Sequence, residues 1–266
     1  MTFPNNPPGR AGISNTYPWV EPHPRDLFWG FIANAEYYGL PVNFLRIVGR
    51  SYTLNMNGPG RAQRADVWTN SMYLDRSTYD LLVDMNVDLP VGESTAILTA
   101  YHESTHAYLD LKENEAAFKT FIADGEKHYK DAPMVGDTTS RDPKRVFQEA
   151  AASYVGNRAS TWWLAFEMLA ILTTTLASGN NVSKDKVVRM ANIARKDYND
   201  VMKEMVFGYE ESAWYSSDQV ETTRPLSAAM KRFLDTELLE DKIPDDFDKV
   251  TKLRQLYLDL LSPGRP

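Results

Sequence analysis

Residues 101–110 read YHESTHAYLD, and two of the chain's four histidines fall there, four positions apart. Residues four apart share one face of a helix, so His102 and His106 would present two ring nitrogens to a single cation. Zinc takes imidazole nitrogens at about 2.0–2.1 Å in a tetrahedral set, which this pair begins. Glu103 follows the first histidine directly, within reach of a water on such a metal. Zinc lowers the pKa of that water toward about 7, and Glu103 would take its proton as it attacks a carbonyl. The carboxyl would then hand the proton to the leaving amine. The plainer alternative is a pair of core histidines beside a surface glutamate.

A catalytic zinc normally has three protein ligands and one open position. The metzincin arrangement needs Gly at 109 and a ligand at 112; the chain has Leu109 and Lys112, which excludes it. The other source is a glutamate on a later helix, and FQEAAASYVGN (147–157) suits that role. Asp142 can cap this helix with Pro143 in its first turn. Glu149 precedes Ala150, Ala151 and Ala152, small residues that let the helix pack close against the motif helix. Ser153, one turn beyond Glu149, could hydrogen-bond behind the ligand. Asp110, Glu113, Glu115 and Glu167 remain rival third ligands.

The HESTH motif with a downstream glutamate helix resembles the gluzincins, zincin-fold zinc peptidases whose metal is held by two His and one Glu. The resemblance covers roughly 65–157, and HExxH is its one specific motif. Glu149 follows His106 by 43 positions, a longer interval than in thermolysin-like members. It is more similar to the gluzincin domains of some bacterial toxins and secretion-system effectors. Thermolysin-like enzymes carry Asp one turn after the glutamate ligand, where this chain has Ser153.

The resemblance implies one Zn²⁺ per chain, held by His102, His106 and Glu149, with Glu103 as general base. It also implies a protein or peptide substrate laid as an added strand along a sheet edge, for which 65–74 is the candidate. A developing oxyanion wants a further donor, commonly Tyr, His or Arg. Arg145, one turn before Glu149, is one candidate. His128, Tyr154, and Tyr209 or Tyr215 in the loop GYEESAWYSSDQ are the others. For each of these, packing or surface exposure is the competing explanation.

The elements that must position this site are read from pattern and punctuation. Residues 1–25 are rich in proline and aperiodic, an irregular arm. Asp26 can cap a helix over LFWGFIANAEYY, stopped by Gly39 and Pro41. VNFLRIV (42–48) and SYTLNM (51–56), with Gly49-Arg50 between them, predict a hairpin, and 65–74 a third strand. Beyond Pro90 the pattern predicts helices at 93–111, 115–129, 143–157, 160–178, 183–207, 225–239 and 245–261. Strands first and helices afterwards describe an α+β protein. The expected layout is one domain over 26–266, with a sheet and the motif helix in 26–111 and a helical part in 112–266.

Composition closes off several other functions. The 266 residues include 29 basic and 36 acidic side chains, a net charge of −7, and no basic block. Nucleic acid, whose phosphates need such a block, is excluded as a partner. The absence of cysteine removes disulfides, thiol nucleophiles and Cys-ligated zinc together. The run TWWLAFEMLAILTTTLA (161–177) is nearly free of charge but short of the roughly 20 apolar residues that span a bilayer, so it reads as a buried core helix. The N-terminus lacks a secretory pattern, which fits a cytoplasmic location or export by a signal-independent route.

The expectation is a zinc metallopeptidase of zincin type, and the toxin-like interval adds a delivered effector to it. Its rivals are a zinc amidase acting on cell-wall peptide, a binding or toxin-assembly protein with a structural metal site, and a membrane-active helical protein.

Overall fold

A computed structural model describes residues 23–57, 63–84, 90–132, 142–177 and 224–243, with the side chains of all but 84, 90–95, 161 and 164–177. Helix α1 (Pro24–Tyr37) starts two residues before Asp26. Proline suits the first turn, and the His23 ring, rather than Asp26, accepts the Arg25 N–H. Gly39, in the left-handed region at φ 74°, ends it.

The expected hairpin over 42–56 is not formed. Residues 43–51 are helix α2 (Asn43–Ser51), and only the second half of the segment extends, as β1 (Thr53–Asn57). Two long-range effects override the β-branched and aromatic composition. Phe44, Leu45 and Val48 share one buried helical stripe. At the helix start, the carboxylate of Glu240 accepts the N–H groups of Val42 (2.9 Å) and Asn43 (3.0 Å). An anion there also meets the positive end of the helix dipole.

The expected strand over 65–74 is two strands. β2 (Arg64–Asp66) and β3 (Ser71–Asp75) flank a turn held by Asp66, whose Oδ1 accepts from Trp68 N and Thr69 N. Asn70 closes the turn with φ 44°, a conformation Asn tolerates. The sheet order is β1-β3-β2, with β1 parallel and β2 antiparallel to β3. It is a small mixed sheet with β2 on one edge. Helix α3 (Arg76–Asp84), absent from the sequence expectation, follows at once; Asp75 Oδ1 accepts from Thr78 N at 2.7 Å.

Helices α4 (Pro90–Lys112) and α5 (Ala116–Tyr129) fall where expected. The two helices expected at 143–157 and 160–178 are one continuous helix, α6 (Pro143–Ala177). Gly156-Asn157 reads locally as a stop signal, but the glycine serves packing, as shown below. Helix α7 (Ala228–Glu237) lies within the expected 225–239. The helices expected at 183–207 and 245–261, and the arm over 1–22, fall outside the described residues. The described part is thus α+β, mostly helical. Among the described residues no helix is long and apolar enough to cross a membrane.

Two polar clasps fasten residues 224–243 to the helices. Arg224 donates to the His128 and Asp131 carbonyls, and Tyr129 Oη donates to Arg224 O. Arg158 on α6 is 2% exposed and donates to Ile243 O at 2.9 Å, while Asp235 accepts Tyr154 Oη at 2.9 Å. A guanidinium is tolerated at that depth because carbonyl and carboxylate oxygens meet it.

Candidate metal centre

Helix α4 holds the site because the face that carries Tyr101 and Ser104 is packed against the core. Tyr101, fully buried, packs edge-on against Phe31 and Phe44, and its hydroxyl donates to Pro41 O at 2.7 Å. Ser104 Oγ lies 3.7 Å from the Met72 sulfur on β3, and Thr105 Oγ1 donates back to Tyr101 O. The Tyr101 and Ser104 contacts, which reach other elements, fix the rotation of α4 about its axis, while the Thr105 bond stays within the helix. Each residue advances about 100° around a helix, so His102 and His106 face α6 while Glu103 faces β2.

Glu149 meets the two histidines from α6. His106 Nε2 lies 3.1 Å from His102 Nε2 and 2.9 Å from Glu149 Oε2, and His102 Nε2 is 3.4 Å from the same oxygen. Tetrahedral ligands at the zinc distance would stand about 3.3 Å apart. The three edges lie within about 0.4 Å of that figure. Side-chain exposures of 8%, 16% and 12% for His102, His106 and Glu149 keep most water away. The cluster can hold a metal ion.

Electrostatics agree with a site built for a cation. Burial alone would lift the Glu149 carboxyl, but the charge of His106 and hydrogen bonds from both rings hold it well below the usual carboxylate range. Burial likewise disfavours charge on His106, yet the Glu149 carboxylate, with help from Glu103, outweighs it and raises the pKa above the ordinary imidazole value.

Close approach of α4 and α6 depends on Gly156. A Cβ there would stand 2.7 Å from the Leu98 carbonyl oxygen and 3.4 Å from the His102 Cβ. Gly156 lies seven positions after Glu149, on the same helical face two turns on. That spacing was available in the sequence as a signal for a packing glycine. The Ala150–Ala152 run is buried too, as its small side chains implied.

Rival ligands are engaged elsewhere. Asp110 accepts from Tyr52 Oη at 2.9 Å, Glu113 pairs with Lys144, and Glu115 pairs with Lys112. The Glu167 side chain lies outside the described ones. Ser153 is buried one turn beyond Glu149.

Glu103 is buried beside the triad, and its Oε2 accepts the Ala65 N–H of β2 at 2.6 Å. Ala65 begins the 65–74 segment expected as the substrate edge, but its contact to Glu103 left no trace in the sequence, since a backbone donor carries no residue-type signal. Among the oxyanion candidates, Arg145 is exposed one turn before Glu149, and its charge is the smallest of the influences on His106, disfavouring the proton there. Nε2 of His128 meets Pro225 O at 2.9 Å and the Tyr154 hydroxyl serves Asp235, so both are engaged in fastening the C-terminal segment. Tyr209 and Tyr215 lie outside the described residues.

Comparison with protein families, with curated proteins and with solved structures gave no match.

Proposed function

We propose that the chain is a zinc-dependent metallopeptidase of zincin type, with His102, His106 and Glu149 as ligands and Glu103 as general base. The observation carrying this reading is the near-tetrahedral triangle of two imidazole nitrogens and one carboxylate oxygen, with a second buried carboxylate directly beside it. Zinc suits the donor set: two imidazoles and one carboxylate match the ligands of known hydrolytic zinc sites, and cysteine is absent.

When bound, a zinc ion supplies Lewis acidity, polarising a carbonyl and acidifying a water. The chain's own residues do the rest. Glu103, following His102 on the helix, takes the proton of the attacking water and delivers it to the departing amine. Glu149 and the two histidines stay fixed because α4 and α6 are anchored on both sides. Arg145 places a positive charge near the site, where negative charge grows on the carbonyl oxygen. A peptide bond is the fitting substrate, because β2 is an edge strand beside Glu103 against which an extended chain can lie.

The test is turnover. Purified protein loaded with one equivalent of zinc should cleave an unstructured protein or a fluorogenic peptide library. Glu103→Ala should lose roughly 10²–10⁴-fold in rate while retaining the metal. Cleavage of cell-wall peptide amides alone would move the substrate to the amidase class, and metal without any turnover would reject the enzyme reading.

A further inference from the structure

Glu103 faces a positional problem that its helix does not solve. A glutamate on α4 has three rotatable bonds, and a proton shuttle works only if its carboxylate stays within about 3 Å of the transferring proton. The Ala65 N–H, itself part-buried, reaches Oε2 of the buried Glu103 at 2.6 Å. We propose that the backbone amide of Ala65 is a positioning group that holds Glu103 in its reactive orientation; this rests on the hydrolase reading.

The strand makes the amide suitable for this task. Ala65 is the central residue of β2 and stands opposite Met72 in an antiparallel pair. Along such a strand, backbone groups alternate between facing the partner strand and facing away. Donation to Glu103 places the Ala65 N–H on the outward side, so the backbone groups of Arg64 and Asp66 face β3. The ladder therefore fixes the direction of the free amide. At 2.6 Å the contact is short, as hydrogen bonds from N–H to a carboxylate are. With Oε2 held, Oε1 is the oxygen that meets the proton.

There is a consequence for substrate. A strand added at the β2 edge normally pairs with outward N–H and C=O groups in turn. Here the central N–H is already taken, so an incoming peptide finds the Ala65 carbonyl but not its amide. The edge next to the reactive carboxylate binds through fewer backbone contacts than an open strand would.

Two measurements on the zinc-loaded full chain test the assignment. Amide exchange at Ala65 should be slower in the wild type than in Glu103→Ala by about tenfold or more, with Glu103→Gln, which keeps an acceptor oxygen, in between. Ala65→Pro removes the N–H at an outward-facing edge position where proline is admitted. It should keep its zinc, leave KM nearly unchanged and lower kcat on the order of 10²-fold. Ala65→Ser, which restores the N–H, should recover what Ala65→Pro loses. Equal Ala65 exchange in wild type and Glu103→Ala, or full kcat in Ala65→Pro, would overturn the proposal, and the exchange result decides even where Ala65→Pro fails to fold. A protected amide in a protein with no turnover on any substrate would instead reject the hydrolase reading and reduce the contact to a structural tie.

Discussion

Gly156 packs directly on His102: a Cβ at 156 would stand 3.5 Å from the His102 backbone nitrogen as well as 2.7 Å from the Leu98 carbonyl oxygen. The separation of the two ligand-bearing helices is thus set by an absent side chain. Gly156→Ala must push α4 and α6 apart, although alanine has the higher helix propensity. The expected outcome is a loss of about 1–3 kcal/mol in stability, the range for overpacking a filled core. Zinc affinity should fall as well, because His102 moves relative to Glu149. Thermal unfolding with and without zinc, and a competition titration, measure the two effects.

Removing a ligand should separate metal binding from folding. His102→Ala and Glu149→Ala should each abolish stoichiometric zinc, while Glu103→Ala should retain it. In the wild type, free zinc at a hundredfold over its dissociation constant should stabilise the fold by about 2.7 kcal/mol. Elemental analysis and the zinc-dependent shift in Tm check both. Retention of zinc by Glu149→Ala would move the third ligand elsewhere.

Protons and metal should compete for the same three atoms. In the metal-free protein, His106 holds its proton above the ordinary value of 6.5, so the stability it contributes is complete below 6.5 and lost as pH rises through the folded value. Glu149, ordinarily near 4.5, is depressed, so its contribution is present above 4.5 and lost as pH falls through the lower folded value. Chelator-treated protein should therefore gain most from the triad between about pH 4.5 and 6.5. Zinc affinity should weaken as pH falls, beginning above pH 6.5, since His106 must release its proton to bind. Tm against pH, with chelator and with zinc, should give two curves displaced in these directions.

Glu240→Ala should cost about 1–2 kcal/mol, the range for loss of a helix cap, because two N–H groups of α2 lose their acceptor. Burial works against this carboxylate, but Lys242 and the Asn43 and Val42 amides hold its pKa below the ordinary 4.5. Its contribution is present above pH 4.5 and lost as pH falls through the folded value. Glu240→Gln should flatten that acid limb of the wild-type stability curve.

The clustering of His102, His106 and Glu149 was more legible in the sequence than the fold around it. HExxH fixes its own geometry once the segment is helical, and a small-residue run beside Glu149 marks a helix built for close contact. By contrast, the segment VNFLRIV carries strand-like composition and folds as a helix because Glu240 supplies its cap from 198 positions away. The stop signal at Gly156-Asn157 misleads in the opposite way: the glycine is a packing requirement, and α6 runs through it. The 65–74 segment hides a turn because Asp66 and Asn70 do locally what Gly and Pro usually advertise. For VNFLRIV and Gly156 the deciding partner lies outside the window in which sequence patterns are read, whereas in 65–74 it lies inside, in residue types that mark a turn less plainly than Gly or Pro.

The clasps made by residues 224–243 have a consequence for how the chain matures during synthesis. A ribosome releases His102, His106 and Glu149 well before Arg224, Asp235 and Glu240. At that moment every ligand exists, but α2 has no acceptor at its start, and Arg158 lacks Asp235 and the Ile243 carbonyl. Contacts of such long sequence separation form late, because the intervening loop must close first. A nascent or truncated chain ending before 224 should carry the whole motif and still hold metal poorly, so that competence for chemistry comes only once that segment has emerged and docked.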